Sequence, residues 1–422
     1  MSRKSYRSGN KDRFAGLRTP RNIVSTVVLL SVGASVGWLS IEAAMIRSLP
    51  ATPAGSLRFV PNNPEAILRR TTTMLVAHRG ILDTNTLDAV RRAAAVAPLD
   101  ARAYLIIGHQ QLLDHTPGRA VATLEAGQRL DPRQRLIHLL LLDRYLRTAR
   151  YADAATQFSV LARLLGATQP AIATAMAKMM IAPETRAAIL RTLRTDPALE
   201  RNVLLALAKS DTAPSVIFAL ASPTAHADAS NPASWGPVLV DRLVSRRQYS
   251  TARSVWQRIY GLSPAIAAMP IINPSFHKIS PSPPFDWTLI ASGLGAADIR
   301  NNALSIDYYG RDSGELARQL LVLDPGRYRF AFTIDPGKTD NTSKLFWSLV
   351  CGTTNATDDR EPLMNVAVTA TARPRRINTD VVIPSGCPAQ TLRLRGEAAD
   401  FPAPIAATLH DLDLRLLSEV EP

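Results

Sequence analysis

The residues that could carry out catalysis are scattered along this chain, and none falls in a spacing typical of an active site. The motifs HExxH and CxxC do not occur, and neither does a complete phosphate-binding loop. The Gly-Lys-Thr at 337–339 resembles only the end of such a loop. The Gly-Leu-Gly at 293–295 lacks a third glycine and a following helix, so both tripeptides predict turns. We therefore expect no catalytic residue and no cofactor.

The seven histidines are dispersed as well. His109 and His115 are six residues apart, a poor spacing for joint metal ligation, and we interpret the histidines as core or surface residues. No cysteine has a second cysteine or a histidine at ligand spacing, so we expect no metal site. Asp298 and Asp307 could form an acid–base pair, but flanking strands supply many such pairs by chance.

Aromatic side chains are the best candidates for stacking on a sugar ring, since they offer a large apolar face. Tyr308 and Tyr309 stand together at a strand end, and we expect both to be exposed. Trp287 and Trp347 alternate with polar neighbours in predicted strands, which favours packing in the core. The candidate ligand-binding residues are Tyr308 and Tyr309, together with Trp287 as the alternative to its packing in the core.

The composition describes a folded chain with one uneven feature, its charge. Of its 422 residues 46% are hydrophobic and 20% are charged, which excludes disordered, collagen-like and multi-pass membrane proteins. The net charge is +14, and seven Lys or Arg against one Asp in residues 1–22 account for +6 of it. The other 400 residues therefore carry only +8, so the excess does not by itself indicate nucleic-acid binding.

A membrane segment directly follows the basic tail. Residues 23–41 contain no charge, and at about 1.5 Å per residue they come close to the roughly 30 Å of a bilayer core. The basic tail should stay in the cytoplasm, so residues 23–46 are predicted to be an anchor and the following chain to be exported. A cleaved signal peptide and a buried soluble helix are the alternatives. Export argues against a nucleic-acid partner.

Helical patterning follows a proline-rich linker at 47–63 and extends over 64–262. Pro98 and Pro132 end two helical stretches 34 residues apart, which is the tetratricopeptide period. The small residues Gly108, Ala120 and Gly127 fall where two antiparallel helices approach closely. This segment resembles a tetratricopeptide repeat, with more degenerate copies on both sides and off-period helices over 170–230. The alternative is a generic helical bundle with a chance repeat.

The sequence pattern changes near residue 271, where four prolines fall in a 13-residue stretch and the helical periodicity of the hydrophobic residues ends. Short alternating runs then follow to the end of the chain, which predicts a β-sandwich, most simply a jelly roll. The predicted strands are 285–290, 303–309, 317–323, 327–334, 344–351, 364–371, 377–383, 390–395 and 409–417.

Several local motifs of this region carry a family resemblance: NPSF, PFDW, LDPGRYRF, WSLVC, PSGCPAQTLRL and a final HDLDL. Over 272–417 they are similar to the galactose-binding-like sandwich that ends membrane-anchored tetratricopeptide proteins of proteobacterial envelopes. The resemblance implies a location at the bacterial inner membrane. It also implies a domain that binds glycans in some members and packs against partners in others, and it assigns no sugar site.

Cys351 and Cys387 are the chain's only cysteines, and both lie in this predicted sandwich. An even number confined to one exported domain suggests a disulfide, which would close a loop of about 37 residues and contribute roughly 4 kcal/mol. Two inert buried thiols are the alternative.

Together these features predict a multi-domain α + β protein. The domains are a cytoplasmic tail (1–22), a single transmembrane anchor (23–46), a linker (47–63), a helical-repeat domain (64–262) and a sandwich (271–422). The expected function is a non-enzymatic periplasmic scaffold that binds partner proteins of the envelope, in a setting such as polysaccharide assembly or export. A glycan-binding protein that acts through the jelly roll is the alternative.

Overall fold

The structure is a computed structural model, which describes residues 63–77, 80–166, 169–277, 282–336, 343–353, 361–369 and 372–417. The predicted tail and anchor, nearly all of the linker and the 337–339 turn lie outside these ranges. Within them, no helix combines the length and the apolar character needed to cross a membrane. The chain forms two compact units that divide between Gly166 and Ala167.

Three helical hairpins make up the first unit over its described residues. The helices are α1 (Pro64–Ala77), α2 (Thr84–Val96), α3 (Ala101–Leu113), α4 (Pro117–Leu130), α5 (Arg135–Arg147) and α6 (Tyr151–Leu165). Helices α3 and α5 begin 34 residues apart (101 to 135), and so do α4 and α6 (117 to 151). The tetratricopeptide-like repeat is therefore confirmed.

The small residues do what the repeat pattern predicts, because they let neighbouring helices come close. A Cβ added to Gly108 would lie 2.7 Å from the Cγ of Leu124, and one added to Gly127 would lie 2.8 Å from the Cβ of Tyr104. Ala120, the third small residue, is completely buried. Real Cβ atoms do not approach so closely, so a larger residue would push these helices apart.

The second unit begins with α7 (Gln169–Ile181), 34 residues after the start of α5 (135 to 169), and the helices after it do not keep this spacing. These are α8 (Pro183–Arg194), α9 (Pro197–Lys209), α10 (Pro214–Leu220), α11 (Pro223–Ala227), α12 (Trp235–Ser245), α13 (Tyr249–Ile259) and α14 (Pro264–Ala267). Glu200 joins three of them through its buried carboxylate. This group accepts hydrogen bonds from Arg194 Nη1 at 2.7 Å and from the Oγ and backbone N of Ser222 at 2.7 and 3.0 Å.

Helix α13 packs directly on the chain that leads into the sandwich. The Trp256 indole donates to the carbonyl of Ser282 at 2.8 Å, and its ring centroid lies 5.6 Å from that of Phe285. These contacts lie within the second compact unit, which contains both α13 and the sandwich.

The sandwich consists, in its described residues, of two antiparallel sheets of five and six strands. In order along the chain the strands are β1 (Thr288–Leu289), β2 (Ala291–Ser292), β3 (Gly295–Arg300), β4 (Ala303–Tyr308), β5 (Gly314–Leu321), β6 (Gly326–Ile334), β7 (Lys344–Cys351), β8 (Met364–Ala367), β9 (Arg375–Ile383), β10 (Gln390–Glu397) and β11 (Ile405–Leu416). The five-stranded sheet has the order β1-β5-β10-β7-β8 and the six-stranded sheet β2-β3-β4-β11-β6-β9. The predicted sandwich is confirmed.

The core lies between the two sheets, because alternate residues of each strand point inward. Leu392 and Leu394 of β10 and Trp347 of β7 belong to it, and Phe330 and Phe332 of β6 face them from the other sheet. The residues between these on β7 and β10 therefore point away from the core. They form the outer face of the five-stranded sheet.

The predicted disulfide is confirmed. It links the end of β7 to the loop before β10, with Cα atoms of Cys351 and Cys387 5.5 Å apart. Two hydrogen bonds hold the same ends together. The N–H of Gly352 donates to Ala389 O at 2.7 Å, and the hydroxyl of Thr391 donates to Gly352 O at 2.7 Å.

Candidate ligand-binding groove

The structure separates the three aromatic residues that the sequence proposed for ligand binding. Trp287 is buried, its indole donates to Asn273 O at 3.1 Å, and its ring packs 5.7 Å from that of Trp347. Tyr308 is 1% exposed, so the prediction of an exposed tyrosine pair is wrong for this residue. Successive residues of a strand point to opposite faces, so Tyr308 enters the core and Tyr309 is 47% exposed.

A groove of about 370 Å³ lies on the outer face of the five-stranded sheet. We call it the outer-face groove. Its lining is mostly polar, with one aromatic ring, and comes from three neighbouring strands and the loops beside them. The lining residues are Ser313, Phe346, Ser348, Pro362, Asn365, Arg393, Arg395, Gly396 and Glu397.

The antiparallel register sets these side chains in two rows across the sheet. Ser348 of β7 lies between Arg393 of β10 and Asn365 of β8 in the first row. In the second row, Phe346 lies directly opposite Arg395. Side chains of directly opposed residues start about 4.5–5.5 Å apart, so each row can contact a single ligand.

A buried ion pair forms the floor of the groove. The side chains of Arg393 and Glu315 are each only 2% exposed, and Arg393 Nη1 lies 3.4 Å from Glu315 Oε1. Arg393 Nε donates to Ser348 Oγ at 3.0 Å, and Arg318 Nη1 lies 3.4 Å from Glu315 Oε2. Since the ends of the guanidinium and the carboxylate are fixed by these contacts, the floor is preorganised.

The upper part of the groove offers groups that are available to a ligand. Arg395 is half-buried, and the described residues provide no hydrogen bond or ion pair for its side chain. Phe346 is also half-buried, while Asn365 and Glu397 are exposed. An apolar ring flanked by an amide, a carboxylate and a guanidinium can hold a molecule that has both an apolar face and hydroxyl groups.

Tyr308 supports this groove from inside the sandwich. A Cβ added to Gly396 would lie 2.3 Å from Cε2 of the Tyr308 ring, so the ring fits under β10 only because residue 396 is a glycine. The Tyr308 hydroxyl donates to the carbonyl of Asp312 at 2.9 Å. Tyr308 thus acts on the groove through the backbone of β10 rather than through a ligand.

A second polar cluster lies on the six-stranded sheet, where β11 carries a bulge after His410. His410 Nε2 lies 3.0 Å from Asp335 Oδ1, and His410 Nδ1 lies 2.8 Å from Asp411 Oδ2. Burial works against a charged imidazole, but the hydrogen bonds to Asp411 and Asp335 outweigh it and raise the pKa of His410. Across the described ranges, no group of three or more His, Cys, Asp or Glu could hold a metal ion.

The sequence interpretation missed the groove residues, although one signal was present. The strand QTLRLR at 390–395 alternates leucines with arginines, yet Arg393 is buried as deeply as the leucines beside it. An arginine in a strand that is buried on both faces needs a partner, and that requirement points to Glu315. The pairing itself depends on a β5–β10 register that only the fold reveals.

Three of the solved structures similar to this chain illustrate its two parts. YrrB, a TPR protein with an unusual peptide-binding site, is 14% identical over 42% of this chain and 94% of its own, with a TM-score of 0.23. The structure described as "CBM4 structure and function" is 13% identical over 35% of this chain and 99% of its own, with a TM-score of 0.27. The N-terminal cellulose-binding domain of Cellulomonas fimi beta-1,4-glucanase C is 14% identical over 32% and 90%, with a TM-score of 0.22.

At these TM-scores the likenesses carry no argument about function. No family model matches the chain. No curated protein matches it either.

Proposed function

We propose that this chain is a non-enzymatic saccharide-binding protein that acts through the outer-face groove. The observation that carries the proposal is the row in which Phe346 lies beside Arg395, above a floor fixed by Arg393 and Glu315. A sugar ring has one apolar face and a rim of hydroxyl groups. The ring of Phe346 suits the first, and the polar side chains around it suit the second.

The floor of the groove favours binding over catalysis. Hydrolysis of a glycosidic bond needs two carboxyl groups that act as acid and base or nucleophile. Glu315 lies between two guanidinium groups, each with a nitrogen 3.4 Å from one carboxylate oxygen, so both of its oxygens already have partners. Only Glu397 among the lining residues is an exposed carboxylate.

Location at the bacterial inner membrane, with the amino terminus in the cytoplasm and the bulk in the periplasm, is part of the same proposal. It is supported by the uncharged run at 23–41 behind a tail of charge +6. The Cys351–Cys387 disulfide supports it independently, since such bonds persist in oxidising compartments. We further assign the sandwich to the jelly-roll class, because from β4 onward nearly all successive strands alternate between the two sheets.

The test uses the full chain solubilised in detergent. A panel of neutral and acidic oligosaccharides is screened for binding, and the affinity of each oligosaccharide that binds is measured by calorimetry. Phe346→Ala should weaken binding about fivefold or more, since an aromatic contact of this size is worth about 1 kcal/mol. Phe401→Ala is the matched control, because Phe401 is 82% exposed and lies outside the groove. Tyr309→Ala tests the exposed tyrosine that the sequence suggested. Unchanged binding by Phe346→Ala, or no binding across the panel, would refute the proposal.

A scaffold for partner proteins is the second candidate, and a groove in the first unit favours it. This groove, of about 500 Å³, lies between α1 and α2. Ile67, Met74 and Val96 give it an apolar lining, and Arg70 and Arg92 add positive charge. Crosslinking and pull-down from the membrane fraction should recover a partner that is lost with Met74→Glu. Recovery of the same proteins by wild type and Met74→Glu would exclude this groove as the binding surface.

A further inference from the structure

The outer face of the five-stranded sheet carries more positive than negative charge around the groove. Arg393 and Arg318 each have a guanidinium nitrogen 3.4 Å from the carboxylate of Glu315, so two guanidinium groups lie beside one carboxylate. Arg395 adds a third guanidinium group, for which the described residues provide no hydrogen bond or ion pair. A neutral ligand would leave this excess without a partner.

The rim carboxylate does not cancel the excess. Glu397 is exposed, and the β7–β10 register sets Lys344 directly opposite it. Opposite charges in direct cross-strand positions attract each other, so Lys344 offsets the charge of Glu397. On its other side the β5–β10 register sets Glu315 opposite Arg395, but both oxygens of Glu315 already lie 3.4 Å from Arg393 and Arg318. The described residues therefore provide no ion pair for the guanidinium of Arg395.

Arg395 is also the group best placed to bind a negatively charged substituent of a ligand. It is half-buried, which reduces screening by solvent, and it lies directly opposite Phe346. A planar guanidinium matches a planar carboxylate through two parallel hydrogen bonds. A sugar ring stacked on Phe346 would bring a substituent of that ring to Arg395.

We propose that the outer-face groove selects an anionic saccharide, with the acid group of a sugar held by Arg395 while its ring lies on Phe346. This inference rests on the proposed saccharide-binding function and names the class of ligand. Uronic acids and sulfated sugars share the required chemistry. Arg393 and Glu315 act as positioning residues for the floor and do not themselves need to contact the acid group.

The test compares ligands that differ only in charge, using the full chain in detergent. Tetragalacturonate is titrated against its fully methyl-esterified form, which keeps the shape and loses the charge. Tetramers of glucuronate and mannuronate and a sulfated galactose oligomer extend the acidic set, each beside its neutral counterpart. At least one acidic oligomer should bind about tenfold or more tightly than its neutral counterpart, and this preference should fall as salt is raised.

Variants then assign the preference to one side chain. Arg395→Gln should abolish the preference for the acidic form, because it should weaken binding of the acidic form at least about tenfold more than binding of the neutral form. Arg395→Lys should retain part of it, because the charge remains and the bidentate geometry does not. Arg375→Gln is the matched control, since it removes an exposed arginine of β9 on the other sheet. Glu397→Gln should tighten binding of the acidic form by removing a negative charge from the rim.

The outcomes separate this inference from the function on which it rests. Equal affinity for every acidic and neutral pair, or a preference that survives Arg395→Gln, would overturn the anionic inference and leave saccharide binding standing. A loss of preference in Arg375→Gln equal to that in Arg395→Gln would also overturn it, because the effect would then be general electrostatics. Absence of binding to all acidic and neutral oligomers would overturn both.

Discussion

Replacing Gly127 with alanine should destabilise the repeats, although alanine is the better helix former. The new Cβ would lie 2.8 Å from the Cβ of Tyr104 and 2.9 Å from Cδ1 of Ile137. The Ile137 methyl can rotate away, but the Tyr104 Cβ is bonded to the backbone, so α3 and α4 must separate. Overpacking of this kind costs about 2 kcal/mol, and the gain in helix propensity returns about 1 kcal/mol. The expected net loss is about 1 kcal/mol.

Gly118→Ala provides a matched control on the same helix. A Cβ at position 118 meets no atom within 4 Å, so this variant should gain about 0.5–1 kcal/mol from helix propensity alone. The two variants should thus differ by about 2 kcal/mol, or more than tenfold in the local opening equilibrium. Hydrogen exchange in peptides from α3 to α5 of the full chain measures this directly. Slower exchange in Gly127→Ala than in wild type would show that these helices do not pack as described.

Three further predictions concern the second unit. Reduction of the Cys351–Cys387 disulfide should lower the stability of the sandwich by about 2–5 kcal/mol, seen as a lower melting temperature that a double-serine variant shares without reductant. His410 should stabilise the fold by about 1 kcal/mol or less below its unfolded pKa near 6.5, and this gain should be lost as pH rises through its raised folded pKa. Stability that falls no faster with pH in wild type than in His410→Gln would contradict this assignment. Glu200→Gln should cost about 1–3 kcal/mol by weakening three hydrogen bonds, and hydrogen exchange in α9 and α11 should accelerate.

The helical repeats could be predicted because their signal is local and periodic. Close helix packing requires small residues at fixed intervals, so the positions of Gly108 and Gly127 predict from the sequence where the helices contact each other. The off-period helices over 170–230 were recognised only as helical. Their arrangement depends on contacts such as that of Glu200 with Ser222, which are 22 residues apart and follow no repeat.

Most strands could be predicted for the same reason, and the exceptions are instructive. Strand β3 begins Gly-Ala-Ala, which has neither β-branched nor aromatic residues, and β2 has only two residues. The pairing of β2 with β3 and of β3 with β4 is a tertiary effect. Tyr308 was expected to be exposed because it was grouped with Tyr309 at the strand end, although it continues the buried alternation of Leu304 and Ile306.

The groove could not be predicted, because it exists only in the register of strands that are distant in sequence. Arg393 and Glu315 are 78 residues apart, and Arg393 and Ser348 are 45 apart. Each residue alone has an ordinary interpretation as a surface charge or a strand hydroxyl. Only the order β5-β10-β7 brings them together on one face.

The buried pair of Arg393 and Glu315 is itself an argument for function. Desolvating two charges costs as much as their attraction returns, so well-packed apolar residues would stabilise this sheet face equally well or better. Stability alone therefore gives no reason for an arginine and a glutamate at these positions. A preorganised polar floor beside an aromatic ring does give one, because a ligand bound there meets hydrogen-bonding groups that are already oriented. The buried pair that stability does not explain is thus the one to which we assign the positioning of the groove floor beneath Phe346 and Arg395.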